Sequence, residues 1–259
     1  MTEGALLALL QPFNPVLAEH PRLTQLRADA RPQMSLDSRG IATIPISGSL
    51  MRKPSLWETW SGRAEDTDAL TSLVHQAAND SNVSGILLAV DSPGGMFNGG
   101  LELADAVRSA RMRKPVVSHV SGLGASLAYM VASQSDAIVA SPSASVGSIG
   151  VIAAHADMTQ FFADMGVKLE IFRSAGADLK APGIYGTSLT DSQRESIQSS
   201  VDKVGQIFAS TVTRARPKAK LEGLRGRTFL ADDAADLGLI DYAGNDSFAK
   251  AIAMNRKMV

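Results

Sequence analysis

Residues Gly85–Gly95 read GILLAVDSPGG, an apolar run that is closed by a Ser-Pro-Gly-Gly turn. The run is short, uninterrupted and apolar, which is typical of a strand buried on both faces of a sheet. Glycine allows a ligand to come within hydrogen-bonding distance of the backbone. The turn therefore predicts free backbone N–H groups at Gly94 or Gly95, at the carboxyl end of a buried strand.

Short apolar strands and amphipathic helices alternate along most of the chain. The predicted helices are 66–79, 101–111, 125–133 and 190–216, and the predicted strands are 41–46, 86–90, 115–120, 136–140, 148–153 and 168–173. Pro45 indicates an edge or end position for the first strand, because proline has no N–H for a ladder. Thr190 and Gln193 fit a capping box. The alternation predicts an α/β fold of repeated βαβ units, with ligand sites beyond the carboxyl ends of the strands.

Length, composition and charge exclude several classes of function. The chain has 259 residues, of which 45% are hydrophobic and 20% charged, as in ordinary globular proteins. The net charge of −1 predicts no nucleic-acid partner. The absence of cysteine excludes disulfides, thiolate catalysis and cysteine zinc sites. No run approaches the ~18 apolar residues of a membrane span. We expect an N-terminal arm over 1–37 and a main domain over 38–259.

A second motif, Ser121–Tyr129, reads SGLGASLAY and places Ser126 among small residues at the predicted start of a helix. A serine hydroxyl there is a candidate nucleophile, because the helix dipole favours developing negative charge. The Leu127 N–H and the amides of Gly94 or Gly95 would form an oxyanion hole. A serine at a helix start can also be only an N-cap.

Several residues are candidates for the base that would activate Ser126. Lys180 lies in the polar loop 176–183, and Lys168 is a weaker option. A lysine amine acts as a base only where its surroundings lower its pKa. His155 is the alternative base, with Asp157 as its orienting carboxylate. The spacing of these residues does not choose among them.

The segment that follows the Gly-Gly turn is a candidate substrate-binding strand. Met96 and Phe97 extend beyond the turn and could pair with a peptide as an added strand. The predicted ligand is therefore a peptide or protein.

Three motifs together carry a family resemblance. Val90–Gly95, Gly124–Tyr129 and Ser141–Val151 resemble the peptidase family of signal peptide peptidase A, and most closely its branch of phage and prophage prohead proteases, which act in capsid maturation. The resemblance implies a ClpP/crotonase-like fold and a serine endopeptidase with a Ser-Lys dyad. It places the nucleophile on Ser126, the base on Lys180, and the oxyanion hole on the two glycines.

The resemblance also implies partners. The expected substrates are phage scaffold and head proteins and the protease itself. The resemblance also implies that the chain assembles into a homo-oligomeric ring and needs no metal or other cofactor. Its expected location is the host cytoplasm or the procapsid. The chain departs from the family in having Ser126-Leu127-Ala128-Tyr129 where Ser-Gly-Gly-Tyr is frequent, and its lysine loop lacks a second basic residue. Bacterial members carry a membrane anchor; no such segment is predicted here, which favours the phage branch.

Three other functions remain open. One is a bacterial peptidase of the same family that degrades residual peptides. Another is an acyl-CoA enzyme of the crotonase type, which would share the oxyanion hole without needing Ser126, but the sequence shows no clear basic site for the CoA phosphates. The third is an inactive structural shell protein in which Ser126 only caps a helix.

Overall fold

The computed structural model describes residues 32–55, 58–59 and 61–254. The predicted arm therefore lies outside the described residues, except for residues 32–37. Contacts divide the described residues into two compact units, one formed by those up to residue 149 together with those from residue 209 onward, and the other by residues 150–208.

The first unit contains a nine-stranded sheet within the described residues. Its strands are β1 (Ser35–Leu36), β2 (Ile41–Met51), β3 (Ala64–Asp66), β4 (Gly85–Gly95), β5 (Val116–Ala125), β6 (Ala137–Ala140), β7 (Ser145–Gly147), β8 (Thr228–Leu230) and β9 (Tyr242–Ala243). The main path is β1-β2-β4-β5-β6-β9, with β3 beside β2, and β7 between β5 and β8. All pairings are parallel except β1 with β2 and β7 with β8, which confirms the predicted parallel-rich α/β sheet.

The four helices predicted above all form, and the described residues contain three more. In chain order the helices are α1 (Thr67–Asn79), α2 (Gly100–Arg111), α3 (Leu127–Ala132), α4 (Thr159–Asp164), α5 (Asp191–Ala215), α6 (Ala231–Asp236) and α7 (Asp246–Met254). Asp66 caps α1 by accepting a hydrogen bond from the Asp68 N–H at 3.0 Å. The apolar face of α1 is buried, as its spacing predicts.

The central strands are buried on both faces because helices cover them. On one face, Ile252 and Ala253 of α7 belong to a core cluster with Ile41, Leu87 and Val117 of three neighbouring strands. Burial of this kind stabilises a fold by about 25 cal/mol per Å² of apolar surface. The central position of β4 fixes its carboxyl end, where the Gly-Gly turn lies.

Two predicted strands are wrong. No strand forms over 148–153; the strand in this part of the chain is β7, which ends at Gly147. The chain turns there because Gly147 and Ser148 have φ values of +126° and +53°. The Ser148 N–H then donates to the Arg227 carbonyl at 2.8 Å. The segment 168–173 forms no strand, and most of its residues are exposed.

The edge position predicted from Pro45 is wrong in detail. β2 lies inside the sheet, between β1 and β4. However, β1 pairs only with Ala42 and Thr43, and β3 pairs only from Ser49 onward. Pro45 therefore lies between the segments of β2 that pair with β1 and with β3. No described strand pairs with that side of β2 there, so the lack of an N–H on Pro45 costs no hydrogen bond of the sheet.

The second unit has little regular structure before α5. It contains α4, a short 3-10 turn over Ile184–Gly186, and the larger part of α5. The predicted capping box is confirmed: the Gln193 N–H donates to Thr190 Oγ1, and the Thr190 N–H donates to Gln193 Oε1, both at 3.3 Å. Gln193 and Phe208 are the buried residues of this unit among those described.

Candidate active site

Ser126 lies at a sharp turn between a strand and a helix. It joins β5 to α3 with φ +52° and ψ −125°, a conformation that few residues other than glycine adopt. Its N–H donates to the Gly147 carbonyl at 2.8 Å, which anchors the turn to β7. Its side chain makes no capping hydrogen bond, although it occupies the N-cap position. The simple capping role considered for this serine is therefore wrong.

Gly94 packs directly against the serine turn. An ideal Cβ atom built on Gly94 would lie 2.7 Å from the Ala125 carbonyl oxygen, from the Leu127 nitrogen and from the Ser126 Cβ. Real Cβ atoms do not come so close to backbone, and Gly94 also has φ +94°. The first predicted glycine is therefore required for the Gly-Gly turn and the nucleophile turn to meet.

Gly95 is required for a different contact. A Cβ atom there would lie 1.9 Å from the Leu50 carbonyl oxygen of β2. Gly95 is in register with Leu50, and the next residue, Met96, donates its N–H to the Leu50 carbonyl at 2.8 Å. In a parallel ladder this pattern turns the N–H of Gly95 away from β2. The ladder on its other side ends at Ser92 and Gly124, so it gives Gly95 no partner there.

The amides predicted for the oxyanion hole are therefore not equivalent. The Gly94 N–H donates to Ser92 Oγ at 3.1 Å and is already used. The Leu127 N–H belongs to the first turn of α3, where amides have no acceptor within the helix. Of the three predicted amides, those of Gly95 and Leu127 therefore remain the candidates for an oxyanion hole.

Three residues at this site have roles that the sequence did not reveal. Asp91 Oδ1 accepts a hydrogen bond from the Leu123 N–H at 2.9 Å and ties β4 to β5. Gly147 accepts from the Ser126 N–H, and Ser92 accepts from the Gly94 N–H. The first two contacts join residues far apart in the chain, so no local pattern could show them.

Met96 and Phe97 follow the Gly-Gly turn, as predicted, but only briefly as an extended segment. Met96 is 58% exposed, which leaves its apolar side chain available to a ligand. The Phe97 carbonyl already accepts a hydrogen bond from the Gly100 N–H at 3.0 Å, where α2 begins. A peptide could therefore pair with only a short stretch around Gly95 and Met96.

The alternative base, His155, lies in the second unit and binds a backbone carbonyl. Its Nε2 lies 3.0 Å from the Thr187 oxygen; because that oxygen only accepts, Nε2 carries the proton. Asp157 accepts hydrogen bonds from Ser188 Oγ at 2.7 Å and from the Thr159 N–H at 3.0 Å. These bonds, that from Ser188 first, lower the pKa of Asp157 to about 2. His155 and its predicted orienter thus have partners within their own unit.

Lys180 lies in an exposed loop of the second unit. Arg173 braces this loop: its Nε donates to the Lys180 carbonyl at 2.7 Å and its Nη2 to the Ala181 carbonyl at 3.1 Å. A basic residue outside the loop therefore contacts the loop backbone, although the loop itself has only one lysine. Lys168 forms a surface ion pair with Glu170 at 2.7 Å. The assignment of the base remains a prediction.

Comparison with known families decides the class of this chain. The family model described as peptidase family S49 matches residues 108–259, which is more than half of the chain and includes both Ser126 and Lys180. The chain belongs to peptidase family S49. The resemblance found in the sequence motifs is thereby confirmed.

Curated relatives include both phage and bacterial peptidases. The chain is 31% identical over 213 residues to capsid assembly protease C of Escherichia phage lambda, covering 81% of this chain and 48% of the relative. It is 30% identical over 218 residues to protease 4 of Salmonella typhi, covering 82% of this chain and 34% of the relative. The chain thus spans half or less of the length of these relatives.

Solved structures confirm the fold. An enoyl-CoA hydratase from Shewanella pealeana superposes with a TM-score of 0.50 at 13% identity, over 91% of this chain and 79% of that one. The predicted ClpP/crotonase-like α/β fold is thereby confirmed, and at this identity the likeness concerns the fold alone. Within the described residues, no helix is long and apolar enough to cross a membrane, and no group of three or more acidic or histidine side chains is arranged to hold a metal.

Proposed function

We propose that this chain is a serine endopeptidase with Ser126 as nucleophile and Lys180 as base. The observation that carries the proposal is the Ser126 turn. Its hydroxyl is not used for capping, its backbone has a positive φ, and a glycine required by close packing lies against it. Such strain costs on the order of 1–3 kcal/mol and is concentrated at functional sites.

In the proposed mechanism, neutral Lys180 takes the proton from Ser126 Oγ as the oxygen attacks the scissile carbonyl carbon. The carbon–nitrogen bond then breaks, and the leaving amine receives the proton from the Lys180 ammonium. Water, deprotonated by the same amine, hydrolyses the acyl-enzyme and restores the Ser126 hydroxyl.

The tetrahedral intermediate carries a negative oxygen that needs fixed donors. The Leu127 N–H and the Gly95 N–H are proposed for this role, since both are backbone groups held by regular structure. Removal of one such donor in other enzymes lowers kcat by about 10² to 10³. The exposed Met96 would contact the substrate beside the scissile bond.

The proposed substrates are phage head and scaffold proteins, with the chain itself among them. The support is the likeness to the phage lambda protein, whose name records capsid assembly. The likeness to protease 4 supports the alternative, a bacterial peptidase that degrades residual peptides. The phage substrate is favoured because the three sequence motifs resemble the phage branch of the family most closely. The proposed location is the host cytoplasm or the procapsid.

A homo-oligomeric ring is proposed as the working assembly. The second unit exposes many large apolar side chains, and burying such groups against a partner is favourable in water. They are Ile152, Met158, Phe161, Met165, Val167, Leu169, Phe172, Leu179 and Tyr185. We propose that a second copy of the chain packs against these side chains and buries them.

Covalent labelling tests the nucleophile. A fluorophosphonate should form a bond from phosphorus to Ser126 Oγ with loss of fluoride, and peptide mapping should locate the label on Ser126. The matched control is Ser121→Ala, which removes a nearby exposed hydroxyl and should leave labelling unchanged. Labelling that persists in Ser126→Ala, or that maps to another serine, would contradict the proposal.

A further inference from the structure

The Gly-Gly turn contains a β-bulge. On β2 a single residue, Gly48, faces two residues on β4, Ser92 and Pro93. A bulge leaves backbone groups without ladder partners and is tolerant of proline, which has no N–H to donate. Bulges next to active sites re-aim the residues that follow them, here Gly94 and Gly95.

The hydroxyl of Ser92 replaces the ladder bonds that the bulge removes. Ser92 is fully buried, and its Oγ donates to the Gly48 carbonyl at 2.6 Å. The same oxygen accepts a hydrogen bond from the Gly94 N–H at 3.1 Å. One side chain therefore connects β2, the bulge and the first glycine of the turn, and uses its donor and one acceptor position to do so.

We infer that Ser92 is a positioning residue that sets the oxyanion hole by holding the Gly94 amide away from the substrate. With Gly94 fixed, Gly95 is the glycine whose N–H faces the reacting carbonyl, opposite the Leu127 N–H. The inference rests on the proposed function, because it names the residue that orients the proposed hole. Ser92 touches neither substrate nor reacting atoms.

The alternative is that Ser92 only stabilises the sheet. The half-buried Gly48 carbonyl and the buried Gly94 N–H would each lose a partner in either case, so a fall in stability does not distinguish the two roles. A change in the placement of the Gly95 amide does, because it weakens binding of the transition state more than binding of the substrate. The measurement that distinguishes the two roles is therefore whether a Ser92 variant changes kcat or KM.

The experiment compares Ser92→Ala and Ser92→Cys with the wild-type chain on one peptide substrate. Cysteine keeps a side chain at the site but is a weak hydrogen-bonding group, which guards against a variant that fails by leaving a cavity. The control is Ser118→Ala, which removes another buried hydroxyl that is paired with Ser135 Oγ at 2.7 Å. We expect kcat to fall by roughly tenfold or more in both Ser92 variants, with KM little changed and the control fully active.

A peptide aldehyde of the same sequence provides the second measurement. Ser126 Oγ would add to its carbonyl carbon and form a tetrahedral hemiacetal whose oxygen lies in the proposed hole. Its inhibition constant should rise in the Ser92 variants by the same factor as kcat/KM falls. Unchanged kcat in folded Ser92→Ala, or a rise in KM alone, would overturn the inference.

A third measurement separates this inference from the proposed function. If the wild-type chain shows no hydrolysis that depends on Ser126, the proposed function fails. The Ser92 contact can then still be tested by hydrogen exchange on the Ser126→Ala protein. The Gly94 amide should exchange faster when Ser92→Ala is added; unchanged exchange would overturn the inference by itself.

Discussion

Ser126 stores backbone strain where the chain passes from β5 into α3. Its φ of +52° persists because the Gly147 carbonyl holds its N–H and Gly94 packs beneath the turn. Because the side chain makes no capping hydrogen bond, the strained backbone conformation is not offset by a stabilising cap at this residue. It presents the hydroxyl beside the first amide of α3, where negative charge is stabilised.

At the residue scale, the proposed base can be tested against its alternatives. Lys180→Met should lower kcat/KM by about 10²-fold or more, since it removes the general base and keeps a long apolar chain. Lys168→Met is the matched control, because Lys168 forms a surface ion pair with Glu170 and should have no role. The measurement is peptide hydrolysis with folding checked by circular dichroism. Normal activity in Lys180→Met together with inactivity in His155→Ala would instead assign a Ser-His site.

Residue types in local motifs could be predicted, and their long-range partners could not. Ser126, Gly94 and Gly95 were predicted because a nucleophile among small residues and a glycine pair are visible in a few consecutive letters. The bond from Ser92 to Gly48 joins residues 44 positions apart. Such contacts depend on strand register, which one sequence does not fix at a bulge.

At the scale of elements, apolar periodicity predicted the central sheet and its helices. It failed after β6, where the strand that pairs with β5 is the three-residue β7. Residues 148–153 are as apolar as a strand, but Ser148 has φ +53° and the chain leaves the sheet. A hydrophobicity pattern carries no information on whether a residue other than glycine adopts a positive φ. The wrong strand prediction over 148–153 therefore has a specific physical cause, the positive φ of Ser148.

A buried histidine connects β5 to the segment after β6 and predicts a pH dependence of stability. His119 Nε2 lies 3.2 Å from Ser141 Oγ, and the residue is only 6% exposed. Burial lowers its pKa, although Asp246 and the Gly244 backbone oppose the shift; Lys250 adds to it. The folded protein therefore favours neutral His119. Neutral His119 makes its full contribution to the free energy of unfolding above the unfolded pKa of ~6.5, and this contribution is lost as the pH falls from there through the lower pKa of the folded state.

The thermal unfolding midpoint measures this effect. Between pH 7.5 and pH 5.5 the wild-type midpoint should fall several degrees more than that of His119→Gln, which cannot take up a proton. Glu65 is present in both proteins; burial raises its pKa, so its contribution has the opposite sign and cancels in the comparison. Equal falls in the two proteins would show that His119 is not the responsible group.

At the scale of the whole molecule, the second unit is poor in buried side chains. Its described residues bury only Gln193 and Phe208, while Phe172 is 90% and Ile152 93% exposed. The exposure of so many large apolar groups is unfavourable in water. This distribution is the structural support for the proposed assembly.

Phe172→Asp tests the assembly. The wild-type chain should be larger than a monomer by light scattering after gel filtration, and Phe172→Asp should shift it toward the monomer, because a carboxylate would be buried without a partner. Met112→Asp changes an exposed apolar residue of the first unit, which is 76% exposed, and should leave the mass unchanged. A monomeric wild-type chain would contradict the proposed ring.

The central claim is that Ser126 makes this chain a peptidase. The most direct measurement is the rate at which the wild-type chain and Ser126→Ala hydrolyse an unfolded protein substrate, with the fold and mass of both proteins shown to be the same. We predict hydrolysis by the wild-type chain and its loss, by about 10⁴-fold or more, in Ser126→Ala. Hydrolysis that survives in folded Ser126→Ala, or that is absent from both proteins, would contradict the account.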